Sequence, residues 1–245
     1  EYDELDMAIR YFQNTIMRVR YSGIPVAVAP HGLTLGGGCE MTMHSDVAVA
    51  AAETYIGLVE VGAGLIPAGG GTKELALRAS DKYFKGDIEI PTLQEMSLNI
   101  AMAKVATSAR EAFDLGILRK GIDIEVMNSN RVIAEAKNAV LELANNGYTP
   151  PQQRSDIKVL GRSALGSFYT GIASMRMGNY ISAHDEMIAK KVCYVICGGD
   201  LSAPTEVNEQ YLLDLEREAF LSLLGEKKTL ERMQFILKTG KPLRN

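Results

Sequence analysis

Two stretches of the chain each combine an apolar run with a glycine cluster and a nearby carboxylate. The first begins with the apolar run 24–30 (IPVAVAP), after which the glycines 36–38 lead to Glu40. In the second, Glu60 follows another apolar run and precedes the glycines within 68–72. Short runs that are apolar on both faces are typical of buried strands in layered α/β proteins. The sequence therefore predicts strands that end near glycine turns, with a carboxylate beside each turn.

The periodicity of apolar residues divides the chain into two predicted regions. Residues 1–147 alternate between helices and short strands, which predicts an α/β core. Residues 148–245 begin at a proline-rich boundary and carry helical periodicity alone, so an all-helical C-terminal extension is expected. The expected strands are 25–30, 47–51 and 54–58, with a further short strand within 117–126. The expected helices are 3–21, 39–45, 70–80, 92–105, 108–116, 129–146, 163–177, 182–197, 206–224 and 226–238.

The bulk composition limits the classes of partner and the compartment. The 245 residues carry a net charge of −4 and contain no long basic block, which argues against nucleic acid or an anionic membrane as a partner. Three cysteines are too few for a disulfide scaffold and indicate a reducing, cytoplasmic compartment. No metal site is expected, because the cysteines and histidines lie at unrelated spacings. The chain opens on Glu1 inside a helical pattern, so we expect it to be a fragment of a longer protein.

The glycine clusters do not fit the common nucleotide-binding motifs. A phosphate-binding loop needs Gly-Lys followed by Ser or Thr, whereas residues 71–73 read Gly-Thr-Lys. Glycines that enter a helix do present backbone N–H groups, which can stabilise an oxyanion or an enolate. Glu40 and Glu60 could then divide the roles of base and acid. The residues alone leave an alternative open, in which Glu40 is an ordinary helix-start acid and Glu60 a solvated loop residue.

We expect structural roles for the three histidines. His31, at the end of the first apolar run, is expected to be packed or to lie in a loop. His44 is expected to be capped or buried at the end of a short helix, and His184 to lie at a solvated helix start. None of the three is therefore included among the candidate catalytic residues.

The stretch 24–72 resembles the crotonase (enoyl-CoA hydratase/isomerase) superfamily. The resemblance continues weakly through 108–116 and returns at the C-terminus, over 215–245. It implies a partial crotonase-like ββα superhelix core, with the N-terminal half of that fold absent. The residues that carry it are PVAVA at 25–29 with Gly32, LGGGCE at 35–40, SDV at 45–47, YIGLVEVG at 55–62 and GLIPAGGGT at 64–72.

The resemblance also implies roles for individual residues. The family places an oxyanion-binding N–H on the middle glycine of the triplet, which is Gly37 in this chain. Hydratases of the family use two acids, here Glu40 to activate water for attack at C3 and Glu60 to move the proton at C2. A backbone N–H that holds the catalytic water would come from Ala68, where the family usually has glycine. Hydration would need no cofactor, and the substrate would be a coenzyme A thioester.

Bacterial fused proteins of fatty-acid β-oxidation combine such a hydratase with a 3-hydroxyacyl-CoA dehydrogenase, and the extended chain resembles their C-terminal part. In that case an NAD-binding dehydrogenase domain would precede residue 1, and NAD would bind only there. Family members often form trimers, so a homo-oligomer is expected. Two alternatives remain: an isomerase that uses Glu60 alone, and a non-catalytic docking domain. A basic C-terminal cluster could contact coenzyme A phosphates or form a solvated helix face; it comprises Lys227, Lys228, Arg232, Lys238, Lys241 and Arg244.

Overall fold

The computed structural model describes residues 2–245, which form ten helices and seven short strands. The first part contains α1 (Tyr2–Arg20), β1 (Ala27–Val28), β2 (Leu33–Leu35), α2 (Gly37–His44), β3 (Val47–Ala51), β4 (Tyr55–Gly57), α3 (Gly71–Ser80), α4 (Glu89–Ala101), α5 (Ala109–Asp114), β5 (Ile124–Val126) and α6 (Val132–Asn145). Short 3₁₀ turns occupy Glu60–Ala63 and Ser129–Arg131. The second part contains β6 (Ile157–Val159), α7 (Gly161–Met177), α8 (Ala183–Ile196), β7 (Thr205–Val207), α9 (Glu209–Leu224) and α10 (Lys227–Thr239).

The strands of the first part form two small parallel sheets. One has the order β1-β3-β5, with Ala27 opposite Val47 and Val49 opposite Ile124. The other pairs β2 with β4. Parallel neighbours require crossover connections, and helices supply them, which confirms the predicted α/β class. The carboxyl ends of β2 and β4 lead directly to the two candidate acids.

Strand β3 is buried on both faces, as its sequence predicts. Alternate residues point to opposite faces of a strand. Val47 and Val49 therefore pack with Val132 of α6 in a small cluster, whereas Ala48 and Ala50 join the main core. Strand β1 is shorter than predicted and only half-buried. It lies at the edge of the sheet, and the prolines at 25 and 30 cannot donate ladder hydrogen bonds, which limits its length.

The main core joins the two predicted regions. It includes Cys39 and Met43 of α2, Leu75 of α3, Ile188 of α8 and Leu212 of α9, all nearly inaccessible to solvent. The helices α7, α8 and α9 therefore pack against the same apolar interior as the elements that carry the glycine turns. The division between 1–147 and 148–245 stays a prediction about domains.

The C-terminal region is helical, as predicted, but it is not exclusively helical. Strands β6 and β7 form an antiparallel pair in which Lys158 lies opposite Glu206. Each strand has only three residues, too few for a two-residue alternation to stand out from a helical period. The expectation of an all-helical extension is wrong in this respect.

Helix α4 begins and ends earlier than the predicted 92–105. Its first turn contains Pro91, which is tolerated there because the first N–H groups of a helix have no intrahelical acceptor. It ends at Ala101, and Ala103 then takes a positive φ of 48°. The part of the chain that the structure describes contains no helix with both the length and the apolarity needed to cross a bilayer.

Candidate active site

The glycine triplet forms a turn between β2 and α2. Gly36 has φ 56°, a left-handed conformation that glycine adopts without steric cost, and its N–H donates to Gly57 O of β4 at 3.0 Å. Helix α2 then starts at Gly37, whose N–H lies in the first turn, where backbone donors have no intrahelical acceptor. The predicted oxyanion donor is thus at a helix N-terminus, a position that favours a bound anion.

Glu40 is buried and held by the second glycine cluster. Its side chain leaves the first turn of α2, and the residue is 2% exposed. Its Oε1 accepts hydrogen bonds from Gly69 N at 2.8 Å and from Gly71 N at 2.9 Å. These bonds occupy one carboxylate oxygen and fix the orientation of the other. The alternative in which Glu40 is a simple helix-start acid does not account for this burial.

Glu60 begins the 3₁₀ turn after β4 and reaches the triplet. A Cβ added to Gly36 would lie 3.1 Å from Glu60 Oε1, so the carboxyl group rests against the first glycine turn. Its Oε2 is buried and makes no protein hydrogen bond. A buried oxygen without a partner is costly in a folded chain and is a feature of sites that bind a ligand. The structure therefore brings Glu40, Glu60 and the triplet into one site.

The electrostatics separate the two acids. Burial raises the pKa of Glu40 to about 7, although the N–H groups of Gly71 and Gly69 oppose this shift. Burial, with the nearby charge of Glu40, raises the pKa of Glu60 to about 8. The N–H groups of Gly69 and Gly71 donate to Glu40 Oε1, whereas Glu60 Oε2 makes no protein hydrogen bond. The two carboxyl groups therefore have unequal environments, as a division into base and acid requires.

A third carboxyl group, Glu216 of α9, was not predicted from the sequence. It is fully buried, and it accepts hydrogen bonds from Gly70 N at 2.6 Å and from Lys73 N at 2.9 Å. Glu40 and Glu216 thus take different N–H groups at the start of α3. Burial and the charge of Glu40 raise the pKa of Glu216 to about 8. The sequence feature that could have identified Glu216 is its position on the apolar face of α9, between Leu212 and Ala219.

Two further residues lie at the glycine turns: Ala68, just before Gly69, and Phe12 of α1. Ala68, the predicted water-holding position, is 4% exposed and directly precedes Gly69. Its bond to a water molecule stays a prediction. The ring of Phe12 lies above both glycine turns, because a Cβ on Gly37 would approach its Cζ to 3.1 Å and a Cβ on Gly69 would overlap the ring. This aromatic side chain covers the turns.

A buried ionic cluster supports the start of α3. Lys73 Nζ lies 2.9 Å from Glu209 Oε2, 3.2 Å from Glu74 Oε2 and 3.0 Å from His44 Nε2. His44 Nδ1 lies 2.7 Å from Glu40 O, a carbonyl that can only accept. The imidazole is therefore assigned as Nδ1-protonated and neutral, with Nε2 accepting from Lys73. Burial and the Lys73 charge lower the pKa of His44 well below its usual range, which agrees with this assignment.

The other two histidines lie away from the acids. His31 is exposed in the loop before β2, as expected. His184 is 2% exposed, and its Nε2 lies 3.0 Å from Thr229 Oγ1 of α10. The prediction of a solvated helix start is wrong at His184, because α10 packs over this end of α8.

The fold and the site together define a crotonase-like protein. The sequence model of the family described as Enoyl-CoA hydratase/isomerase matches residues 4–85, which include the triplet, both acids and the second glycine cluster. This match confirms the predicted resemblance to the crotonase superfamily.

The chain is similar in sequence to three curated proteins, each longer than the part that it matches. The "Probable 3-hydroxyacyl-CoA dehydrogenase" of Bacillus subtilis is 45% identical over 242 residues, which cover 99% of this chain and 30% of the relative. The "Fatty acid oxidation complex subunit alpha" of Shewanella amazonensis is 28% identical over 52% of this chain and 21% of its own length. The "Short-chain-enoyl-CoA hydratase" of Clostridium acetobutylicum is 30% identical over 47% of this chain and 42% of its own length.

The fold has counterparts among solved structures. An enoyl-CoA hydratase from Mycobacterium avium subsp. paratuberculosis superposes with a TM-score of 0.58 over 98% of this chain and 73% of the other. The two sequences are 15% identical, so this similarity concerns the fold alone. The chain spans less than a third of the Bacillus subtilis relative, so the activity of any larger protein belongs to the proposal below.

Proposed function

We propose that this chain is the enoyl-CoA hydratase part of a fatty-acid β-oxidation protein. The reaction would be syn hydration of a trans-2-enoyl-CoA to a 3-hydroxyacyl-CoA. The observation that carries the proposal is the pair of acids beside the N-terminus of α2, the buried Glu40 and the half-buried Glu60. The match to the hydratase/isomerase family and the names of the relatives support it.

In the proposed mechanism the two acids have different tasks. Ionised Glu40 accepts a proton from water while the water oxygen bonds to C3 of the enoyl group. Protonated Glu60 delivers its proton to C2, so that the elements of water are added across the double bond. The N–H of Gly37 stabilises the negative charge that develops on the thioester oxygen. The pKa values of both carboxyl groups are raised toward neutral pH, which suits residues that exchange protons there.

Residue substitution tests the proposal in the intact polypeptide. Glu40→Gln and Glu60→Gln should each lower kcat for crotonyl-CoA hydration by about 10²–10⁴-fold, the range for loss of a general acid or base. Glu53→Gln is a matched control, because Glu53 is exposed and carries the same charge. Hydration is followed by loss of the enoyl absorbance. Full activity in both test variants would refute the role of the pair.

The same variants separate the alternatives. An isomerase that moves a proton with one acid would lose activity in Glu60→Gln and keep it in Glu40→Gln, with a 3-enoyl-CoA as substrate. A non-catalytic docking domain would give no turnover in any variant, including the unmodified protein. The hydrogen bonds from Gly69 and Gly71 to Glu40 favour hydration, because they stabilise the base that an isomerase does not require.

The proposal extends to the larger protein. We infer an NAD-dependent 3-hydroxyacyl-CoA dehydrogenase on the same polypeptide, supported by the name and length of the Bacillus subtilis relative. The three cysteines are buried and unpaired, which supports a reducing, cytoplasmic compartment. Formation of NADH from a 3-hydroxyacyl-CoA by the native protein would test the fusion. Its native mass would test the expected homo-oligomer.

A further inference from the structure

A cavity of about 330 Å³ lies between α4, α7 and α8. Its size falls at the lower end of the ~300–1,000 Å³ that is common for small-molecule sites. Most of its wall is apolar and includes Leu98, Met102, Phe168, Ile172 and Met175. Neither candidate acid lines it. The cavity is therefore separate from the proposed hydration site.

A second cavity, of about 250 Å³, adjoins the first. Both are lined by Ala101, Met102, Ile181 and Asp185, so they meet at these residues. The second one differs in charge, because Arg232 and Arg244 line it as well. The combined space thus runs from an apolar chamber to an end with two guanidinium groups and one carboxylate.

The carboxylate at the junction is already engaged by the protein. Asp185 Oδ1 lies 2.7 Å from Arg232 Nη2, and Asp185 Oδ2 accepts from Ser182 N at 3.0 Å. The Arg232 guanidinium also donates to Val61 O at 3.3 Å. Asp185 and Arg232 therefore balance each other, and the exposed Arg244 leaves this end with a net positive charge.

We infer that this space binds an anionic amphiphile with a single apolar chain. The chain occupies the chamber between α4, α7 and α8, and the anionic head lies beside Arg232 and Arg244. Burial of each methylene supplies the affinity, and the guanidinium groups select the sign of the head. A free fatty acid and a fatty acyl thioester of coenzyme A share this chemistry. The inference does not depend on the proposed hydration, because no residue of that site takes part.

Two glycines of α7 provide a matched pair of variants. Gly171 and Gly166 are both exposed, and a Cβ added to either meets no other atom within 4 Å. Leucine at either position should be tolerated and should raise helix stability to a similar degree. Only Gly171 lines the cavity. Gly171→Leu should therefore fill part of the chamber, whereas Gly166→Leu changes the same helix outside it.

The experiment is calorimetric titration of the protein with saturated fatty acids from butyrate to laurate. Affinity should rise about fourfold with each added methylene until the chamber is full, since a buried methylene contributes about 0.8 kcal/mol. Gly171→Leu should weaken laurate binding about tenfold or more, with Gly166→Leu equal to the unmodified protein. Arg244→Gln should weaken the binding of laurate and leave that of dodecanol unchanged.

Several results would overturn the inference. These are no laurate binding by the unmodified protein, equal affinity in both leucine variants, and dodecanol bound as tightly as laurate. A parallel titration with lauroyl-CoA distinguishes a free fatty acid from an acyl thioester of coenzyme A. Whichever of laurate and lauroyl-CoA binds more tightly identifies the ligand class of this site. The readout is binding, so a protein without hydratase activity could still confirm this site. If the protein is an active hydratase but Gly171→Leu leaves its laurate affinity unchanged, the cavity site is refuted and the proposed hydration is not.

Discussion

Glu216→Gln tests how the helical C-terminal region acts on the proposed acid pair. The side chain keeps its size, but the carboxylate that accepts from Gly70 N and Lys73 N loses its charge and one acceptor oxygen. The new amide group would face a backbone N–H, which is also a donor. Glu218→Gln is the matched control, because Glu218 is exposed on the same helix and carries the same charge.

Two magnitudes follow from these contacts. Above a pH of about 8, where Glu216 is ionised, a hydrogen bond to its charge contributes about 1.5–3 kcal/mol, so loss of one such bond should lower the free energy of unfolding there by roughly that amount. The charge of Glu216 also helps to raise the pKa of Glu60. Removal of that charge should lower the Glu60 pKa from about 8. Since the proposed acid must be protonated, the alkaline limb of kcat/KM should move to lower pH.

The assay is the pH dependence of kcat/KM for crotonyl-CoA, measured together with urea unfolding. We expect a shifted alkaline limb and reduced stability in Glu216→Gln, and neither change in Glu218→Gln. A loss of stability with an unmoved limb would show that Glu216 is structural only. An unmoved limb and unchanged stability would refute the reasoning altogether.

Three further predictions concern the same region. Gly69→Ala should lower kcat by about 10²-fold or more, because its Cβ would lie 2.5 Å from Glu40 Oε2 and overlap Phe12; normal turnover in this variant would contradict the placement of Glu40. Folded Glu60 retains a proton that the unfolded chain releases, so its contribution to the free energy of unfolding should fall as pH rises from 4.5 to about 8; the difference in thermal unfolding between the unmodified protein and Glu60→Gln isolates this contribution from the opposite one of buried His44, and a difference that rises with pH would contradict the assigned shift. Lys73→Met should cost about 3–5 kcal/mol in urea unfolding, since it leaves Glu209 without its buried ammonium partner, and a loss below 1 kcal/mol would argue against that pair.

The sequence predicted the parts of the site that depend on local order. Gly36 to Glu40 form one turn and the start of one helix, so their proximity follows from the chain itself. Glu60 follows β4, which pairs in parallel with β2 before the triplet. Strands that pair in parallel end at the same edge, which explains why both acids lie there, although β2 was not among the predicted strands. The roles assigned to Glu40, Glu60, Gly37 and Ala68 remain predictions.

The parts that were missed depend on contacts between distant segments. Glu216 approaches Gly70 across 146 positions, and no local pattern records that distance. The burial of His184 depends on α10, which lies 45 positions later. Strands β6 and β7 are separated by two helices, and each is a strand only because it pairs with the other. Periodicity describes one element at a time, so such pairings lie outside what it can predict.

The first turn of α3 has a consequence for engineering this chain. Its N–H groups are shared between Glu40, which comes from the glycine-rich core, and Glu216, which comes from α9. A shortened version that stops after α6 would leave Gly70 and Lys73 without their acceptor. Helix α8 cannot be removed to shorten the chain, because Ile188 and Val192 of that helix are fully buried in the main core. A smaller version of this protein should therefore keep both α8 and α9.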